Sequence, residues 1–427
     1  MTSPSAPELP WWRLPHGPLL ASLYAAQGLP FGFFTLALPV LLREQGWSLK
    51  ALSLLQFLAL PWALKFLWAP WLDAHGHSRR WLLGLQGGAT VLALAMAVWQ
   101  PGADSLALLA VVLLFNLLAA TQDVVTDALA VRLLDGPQRG LANALQVGAY
   151  RVGMILGGGG LMWLYARHGS GWMYAAMAGA LALTLWPVWR LPAGAPTDAH
   201  TDRRAATPPA RSLAPAQAHG LWLHWWRRLC TPPVRTLALL ILAYRLGEQM
   251  VGSLVMPFMA DLQVPKDTMA LIKGVAGSGT SLLGAVLGGW FMWRFGRRAA
   301  LWWAGLMQAL SLGLYAVVAV GWGGMACLWT VTMLEGLAGT MATVALFALM
   351  MDVCEPEHAG TDYTVLASVV VGVSGLANLL AGVLGDAVGY TATFVLGTVL
   401  AVVGVWVLVR WLDHHPVHPR VQAVWRP

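Results

Sequence analysis

Charge is what this sequence has least of. Only 11% of its 427 residues are Asp, Glu, Lys or Arg, against 58% hydrophobic. A soluble domain carries about 25% charged residues, so an ordinary water-soluble globule is excluded. Cysteine is nearly absent too: Cys230, Cys327 and Cys354 are scattered and odd in number, which argues against a disulfide framework or a cysteine-built metal centre. There is no G-x-x-x-x-G-K-[ST] phosphate loop, and the glycines of KGVAGSGTS (273–281) lack that spacing. ATP is therefore not expected as a direct fuel. No His/Asp or nucleophile constellation gathers near one membrane face, as a membrane-embedded transferase would need. His75, His77 and the HHPVH run at 414–418 have no scaffold to hold a metal. Neither metal nor cofactor is expected.

What the chain has instead is long apolar runs, each able to cross ~30 Å of hydrocarbon at ~1.5 Å per residue. Twelve are read: 18–42, 51–72, 81–100, 105–130, 141–166, 171–190, 234–259, 268–293, 299–319, 324–351, 361–386 and 388–411. The fold class expected is an all-α membrane protein with twelve transmembrane helices in two six-helix halves. Residues 191–219, rich in Pro, Ala and Thr with scattered arginines and no apolar period, read as a linker. GLWLHWWRRLCTPP (220–233) suits an interfacial helix or simply the flank of span 7. The expected organisation is a first half at 1–190, a linker at 191–233, a second half at 234–411 and a tail at 412–427. The proline-rich N-terminus has no clean cleavage site and reads as a retained tail. Positive loops stay on the cytoplasmic side. Twelve spans with the N-terminus inside put Arg79, Arg80, Arg132, Arg139, Arg294, Arg297, Arg298 and Arg410 there, leaving only Arg43, Lys50, Arg167 and Lys266 outside. Both termini are expected in the cytoplasm, and the +7 net charge follows from topology rather than from a nucleic-acid partner.

A charge inside a span costs at least ~2.5 kcal/mol on insertion scales, so each one calls for a partner, a wet cavity or an escape. Lys65, within LPWALKFLWAPWLD (60–73), lies ~10 Å from the inner end of its span; it either snorkels outward or pairs with an acid on a neighbouring helix. In ATQDVVTDALAV, Asp123 and Asp127 share a helix face one turn apart. Asp127 is expected near the inner surface and solvated. Asp123 is deeper and level with Arg151 of span 5, open to a structural salt bridge or to a carboxylate whose protonation is linked to movement. Arg245 and Glu248 in AYRLGEQM share a face three residues apart, and Glu335 arrives at similar depth on span 10. Intramembrane acids of this kind commonly carry transported protons, which makes Asp123, Glu248 and Glu335 the proton-coupling candidates. Tyr24, Gln27, Lys65, Gln122, Arg151, Tyr244, Arg245 and Lys273 are candidates for substrate contact or charge pairing. Gly28 and Pro30 mark a place where span 1 is expected to bend.

The two halves echo each other in their loops. GWFMWRFGRR after span 8 fits G-x-x-x-D-R-x-G-R-R with Trp293 in the aspartate's place, and APWLDAHGHSRR after span 2 is a looser copy that keeps Asp73. This loop resembles the signature loop of the major facilitator superfamily. The resemblance implies a cavity between the halves, lined by spans 1, 4, 7 and 10. It also implies a cytoplasmic gate drawn from Asp73, Arg79, Arg80, Arg294, Arg297 and Arg298, whose charge pairs break as the protein changes state. Asp352, in the acidic segment 352–362, is expected to pair with Arg294, Arg297 or Arg298.

The pieces LPWALKFLWAPWLD, TQDVVTDALAV, AYRVGMILGGG, YRLGE, KGVAG and LEGLAGTMATVALFALMMDVC resemble, in order and over nearly the whole chain, the muropeptide permease family within that superfamily. QGLPFGFFTLALPVLLREQG, QRGLANALQVGAYRVGM and MMDVCEPEHAGTDYT look more like its single-component siderophore permeases. The resemblance implies a monomeric bacterial inner-membrane importer, not an enzyme, driven by protons. Its substrate would be first a ferric siderophore, second an anhydro-muropeptide and more distantly acetyl-coenzyme A. A membrane-embedded transferase and a non-transporting receptor rank lower. A siderophore fills its metal's coordination itself, so the carrier needs an aromatic and polar cavity rather than metal ligands. Lys65, Asp123, Arg151, Arg245, Glu248, Lys273 and Glu335 occupy family motif positions. The family usually has a shorter acid at Glu248 and often a lysine at Arg245.

Overall fold

The structure, a computed structural model, describes residues 16–44, 55–75, 77–100, 106–134, 138–191, 232–355, 358–415 and 419–425. The expected linker core at 192–231, the N-terminal stretch 1–15 and His418 lie outside them. All regular structure among the described residues is helical. Seven helices are long and apolar enough to cross a membrane by length and composition. Two of these are double: Gly277–Ala319 turns at Gly296 and Ala359–His414 at Gly389, each glycine at φ 80°, a region L side chains rarely adopt. Three further spans are broken into shorter pieces, which brings the number to the twelve expected.

The breaks follow from the residues. Span 1 runs from Gly17 to Glu44 and loosens into wide π-type turns at Phe33–Ala37, just after the internal Pro30. Pro30 has no N–H to give the helix ladder. Span 2 is divided by its own prolines: Pro61 and Pro70 each stand in the first turn of a short helix, Leu60–Leu64 and Ala69–Ala74, with a tight turn at Lys65–Leu67 between them. Lys65 thus sits at the break of an irregular span, where regular helix packing does not dictate its direction.

Span 5 (Arg139–Ile155 and Leu161–His168) loosens across its glycine run, Leu156–Gly160, where it touches span 1 backbone to backbone. A Cβ on Gly157 would lie 1.9 Å from the Leu29 carbonyl oxygen, and one on Gly28 would lie 2.1 Å from that of Tyr150. Gly157→Val is therefore expected to cost about 1–3 kcal/mol or more through overpacking and to lower the midpoint of thermal unfolding in detergent; an unchanged midpoint would refute this contact.

The halves are repeats at one constant interval. Tyr24 and Tyr244, Arg132 and Asp352, Gly140 and Gly360, and the turn glycines Gly169 and Gly389 all correspond. Their burial is not the same from end to end. Toward the end that carries the arginine-rich loops, the basic end, one apolar core runs through both halves and includes Leu20, Tyr24, Ala142, Met341 and Tyr363. Toward the other end the core separates into a first-half cluster around Phe33, Phe115 and Met173 and a second-half cluster around Val251, Leu312 and Phe394. The core is shared by both halves at the basic end, which it closes, and is parted into two at the other.

Candidate functional site

Span 4 (Leu106–Leu133) carries the first half of the site as a series of polar stations on one helix. Farthest from the basic end, Asn116 accepts a hydrogen bond from the Trp62 indole at 3.0 Å. The next station is Asp123, which forms an ion pair with Lys65 of span 2, both of them buried. The broken span 2 delivers Lys65 there with its ammonium 5.6 Å from the centre of the Trp62 ring. Phe31 packs edge-on to Trp62 at 5.5 Å and against Tyr150 at 5.8 Å. Phe31, Trp62 and Tyr150, drawn from spans 1, 2 and 5, are only half-buried and form an aromatic wall beside the Lys65–Asp123 pair.

One turn closer to the basic end is Asp127, which the sequence reading placed in solvent. It is instead 1% exposed, because the closed basic end covers it. Its Oδ1 accepts hydrogen bonds from the Tyr24 hydroxyl at 3.0 Å and the Gln146 amide at 3.2 Å. Arg151 does not meet Asp123 as the matched depths suggested: it is half-exposed on span 5 and Lys65 holds the carboxylate. Depth alone could not rank the two cations, because the break in span 2 decides which one reaches. Gln122 donates to the Leu23 carbonyl at 3.4 Å. Gln27 is buried with neither amide atom hydrogen-bonded.

The second half pairs its charges in the same style at different depths. Arg245 and Glu248 form an ion pair at 2.6 Å on span 7, with Arg245 also donating to Thr343 at 3.2 Å. Lys273 of span 8 pairs with Glu335 of span 10 at 2.9 Å and lies 5.9 Å from the Tyr315 ring. This pair is the most open of the three, at 28% and 22% side-chain exposure. Tyr244 is buried against Gly305.

The basic end is locked by two aspartates. Asp73 pairs with Arg132 of its own half at 3.0 Å. It also crosses to the second half, where it accepts from the backbone N–H groups of Gly360 (3.2 Å) and Thr361 (2.6 Å) and from the Thr361 hydroxyl (2.7 Å). A carboxylate there satisfies N–H groups left unpaired at the start of a helix and faces the positive end of its dipole. Asp352, fully buried, pairs with Arg297 of its own half at 2.8 Å and with Arg139 of the first half at 3.0 Å. Of the residues expected at the gate, only Asp73, Arg297 and Asp352 stand at this junction. Arg79 bonds the Trp189 carbonyl, Arg80 is exposed, Arg294 stacks on Phe295, and Arg298 holds Asp413 at 2.7 Å. Arg132 and Arg139, read from sequence only as topology signals, belong to the lock. The interval that matches Arg132 to Asp352 was the signal that could have revealed them. Burial pushes the nearby Cys354 thiol up, so it is no thiolate nucleophile.

Two six-helix repeats, paired charges within the spans and an ionic lock at one end define a multi-pass membrane transporter. The major facilitator superfamily model matches residues 20–370 and 237–426, and the chain belongs to that superfamily. Over 411 residues it is 28% identical to the anhydromuropeptide permease of Escherichia coli, covering 93% of this chain and 80% of that protein. It is 22% identical over 389 residues to the putative transporter AmpG 4 of Rickettsia conorii, covering 89% and 92%. Among solved structures, the human organic anion transporter MFSD10 superposes with TM-score 0.70 at 17% identity, covering 94% of this chain and all of that one. A bacterial ferroportin homologue in an outward-facing state gives 0.62 at 18%, covering 93% and 98%. At such identities these two speak for the fold alone. The siderophore branch expected from sequence finds no support among these relatives, and the muropeptide reading moves ahead of it.

Proposed function

We propose that this chain is an inner-membrane permease that imports anhydromuropeptides by proton-coupled alternating access. The observation that carries the reading is the Lys65–Asp123 pair beside the wall of Phe31, Trp62 and Tyr150. A sugar-linked peptide offers a ring face to stack on indole and phenyl surfaces, and carboxylate and ammonium groups to exchange with buried ion pairs. The Lys273–Glu335 and Arg245–Glu248 pairs supply matching charges from the other half. The long relatives named as anhydromuropeptide permeases favour that substrate over an iron chelate.

Arginine-rich loops are retained in the cytoplasm, which makes the locked basic end cytoplasmic, both termini internal and the present state open to the outside. Substrate enters from the parted end and the halves close over it. Asp73 then leaves the start of span 11 and Asp352 leaves Arg139, which opens the inner side. Asp123, Glu248 and Glu335 are the acids whose pairs the substrate loosens, and Tyr24, Gln27, Gln122 and Arg151 stand as polar groups about the path, whereas Tyr244 turns its hydroxyl to the Leu301 carbonyl of span 9 and is not among them.

Uptake of a radiolabelled anhydromuropeptide into right-side-out vesicles, with and without a proton gradient and beside a panel of ferric siderophores, tests the reading. Gradient-dependent accumulation of the anhydromuropeptide alone is the expected outcome. Accumulation of a siderophore instead would keep the transporter and overturn the substrate.

A further inference from the structure

We infer that Asp127 is the residue that takes up the coupled proton, within a hydrogen-bonded cluster that joins spans 1, 4 and 5. This deepens the proton-coupled reading and rests on it.

The argument begins with what protonation would disturb at each buried acid. Asp123 holds Lys65, Glu248 holds Arg245 and Glu335 holds Lys273; adding a proton to any of them leaves a cation without its partner. Breaking a buried pair by removing one member is strongly unfavourable, because the other charge is left uncompensated. Asp127 is in a different position. Among the described residues it is in no ion pair, and its Oδ1 is held by two neutral donors, Tyr24 of span 1 and Gln146 of span 5. A proton there displaces no cation.

The surroundings suit both protonation states. Gln146 Oε1 is buried with no hydrogen-bond partner while its Nε2 donates to Asp127. The ends of an amide exchange by a half-turn of the side chain, and that turn would present Oε1 to a protonated Asp127. One amide atom is left unpaired in either orientation, so the switch does not add a new orphan. Tyr363 of span 11 lies against the Gln146 side chain. The hydrogen-bonded chain Tyr24, Asp127, Gln146 therefore starts on span 1 and ends on span 5, beside Tyr363 of the opposite half. The other titratable groups facing the site are Lys65 on span 2, Asp123 on span 4 and Cys354 after span 10.

The position along span 4 gives this proton its leverage. Asp127 lies one turn from the Lys65–Asp123 pair and five residues, ~7.5 Å of helix rise, from Arg132, the lock residue that holds Asp73. A charge gained or lost there acts on the pair beside the aromatic wall and on the lock together.

Two arms test the inference. In right-side-out vesicles, Asp127→Asn is expected to lose accumulation of anhydromuropeptide against a gradient while keeping exchange of labelled for unlabelled substrate; full accumulation by this variant overturns the inference. The second arm needs no substrate. Infrared difference spectra of the purified wild-type chain between acid and alkaline buffer are expected to show a protonated-carboxyl band that shifts in Tyr24→Phe, which keeps the ring and removes the hydrogen bond to Asp127. Absence of such a band, or a band unmoved by Tyr24→Phe, overturns the assignment even if Asp127→Asn fails to fold. If wild-type vesicles ignore anhydromuropeptide but the band behaves as described, the substrate reading fails and Asp127 stands as the proton site.

Discussion

Asp352→Asn is expected to unlock the basic end. In the wild type this one carboxylate neutralises two arginines from different halves, Arg139 and Arg297, all three buried. The amide keeps the shape but removes the negative charge, so two guanidinium groups face each other across the junction in a site with little water. Removing one partner of a buried pair typically costs about 3–5 kcal/mol. That cost falls on the state closed at this end, because the opposite state separates Arg139 from Arg297 in any case. At about 1.4 kcal/mol per tenfold, 3 kcal/mol shifts the balance between the two states roughly a hundredfold. Spin labels on exposed positions of spans 4 and 10 would report it as a longer distance across the basic end. A distribution identical to wild type would show that Asp352 contributes nothing to closure. The reciprocal change, Arg297→Gln, leaves Arg139 to satisfy Asp352 and should produce a smaller shift.

The second large effect is expected at Lys65. Lys65→Met strands Asp123, which loses its only cationic partner among the described residues, one turn from the equally buried Asp127. The loss of stability is again expected at about 3–5 kcal/mol, together with loss of uptake. The double variant Lys65→Met/Asp123→Leu separates the two roles. It removes both charges and fills the space with apolar atoms, and such exchanges are often neutral or stabilising. Thermal unfolding should therefore recover toward wild type while uptake stays lost. Recovery of uptake as well would reduce the pair to a structural fitting.

The twelve spans and the two-fold organisation were legible because crossing hydrocarbon demands long apolar runs, and a lysine or aspartate within such a run stands out. That Arg245 and Glu248 pair was legible too, since three residues along a helix is a contact. Pairings between helices were not. Lys65 finds Asp123 because Pro61 and Pro70 break span 2, and no depth estimate on an ideal helix contains that break. Asp127 differs for a related reason: its distance from the end of its own span suggests water, but Tyr24 of span 1 and Gln146 of span 5 enclose it, and both are distant from it in the chain. The lock was half legible. The acids Asp73 and Asp352 were found, but most of the arginines expected beside them serve their own half, while Arg132 and Arg139 looked like ordinary retention signals.

The lock also determines what each half can assemble with. Corresponding positions are not alike in charge: Arg132 stands where the second half has Asp352, and the neutral Trp293 stands where the first has Asp73. Two copies of the first half, brought together in this arrangement, would set Arg132 of one against Arg139 of the other. Two copies of the second would meet with Trp293 in place of the capping carboxylate and Ala359 in place of Arg139. Neither repeat can close on itself, so if the chain is cut between Leu191 and Pro232 and the pieces are made separately, each should select the unlike piece as its mate.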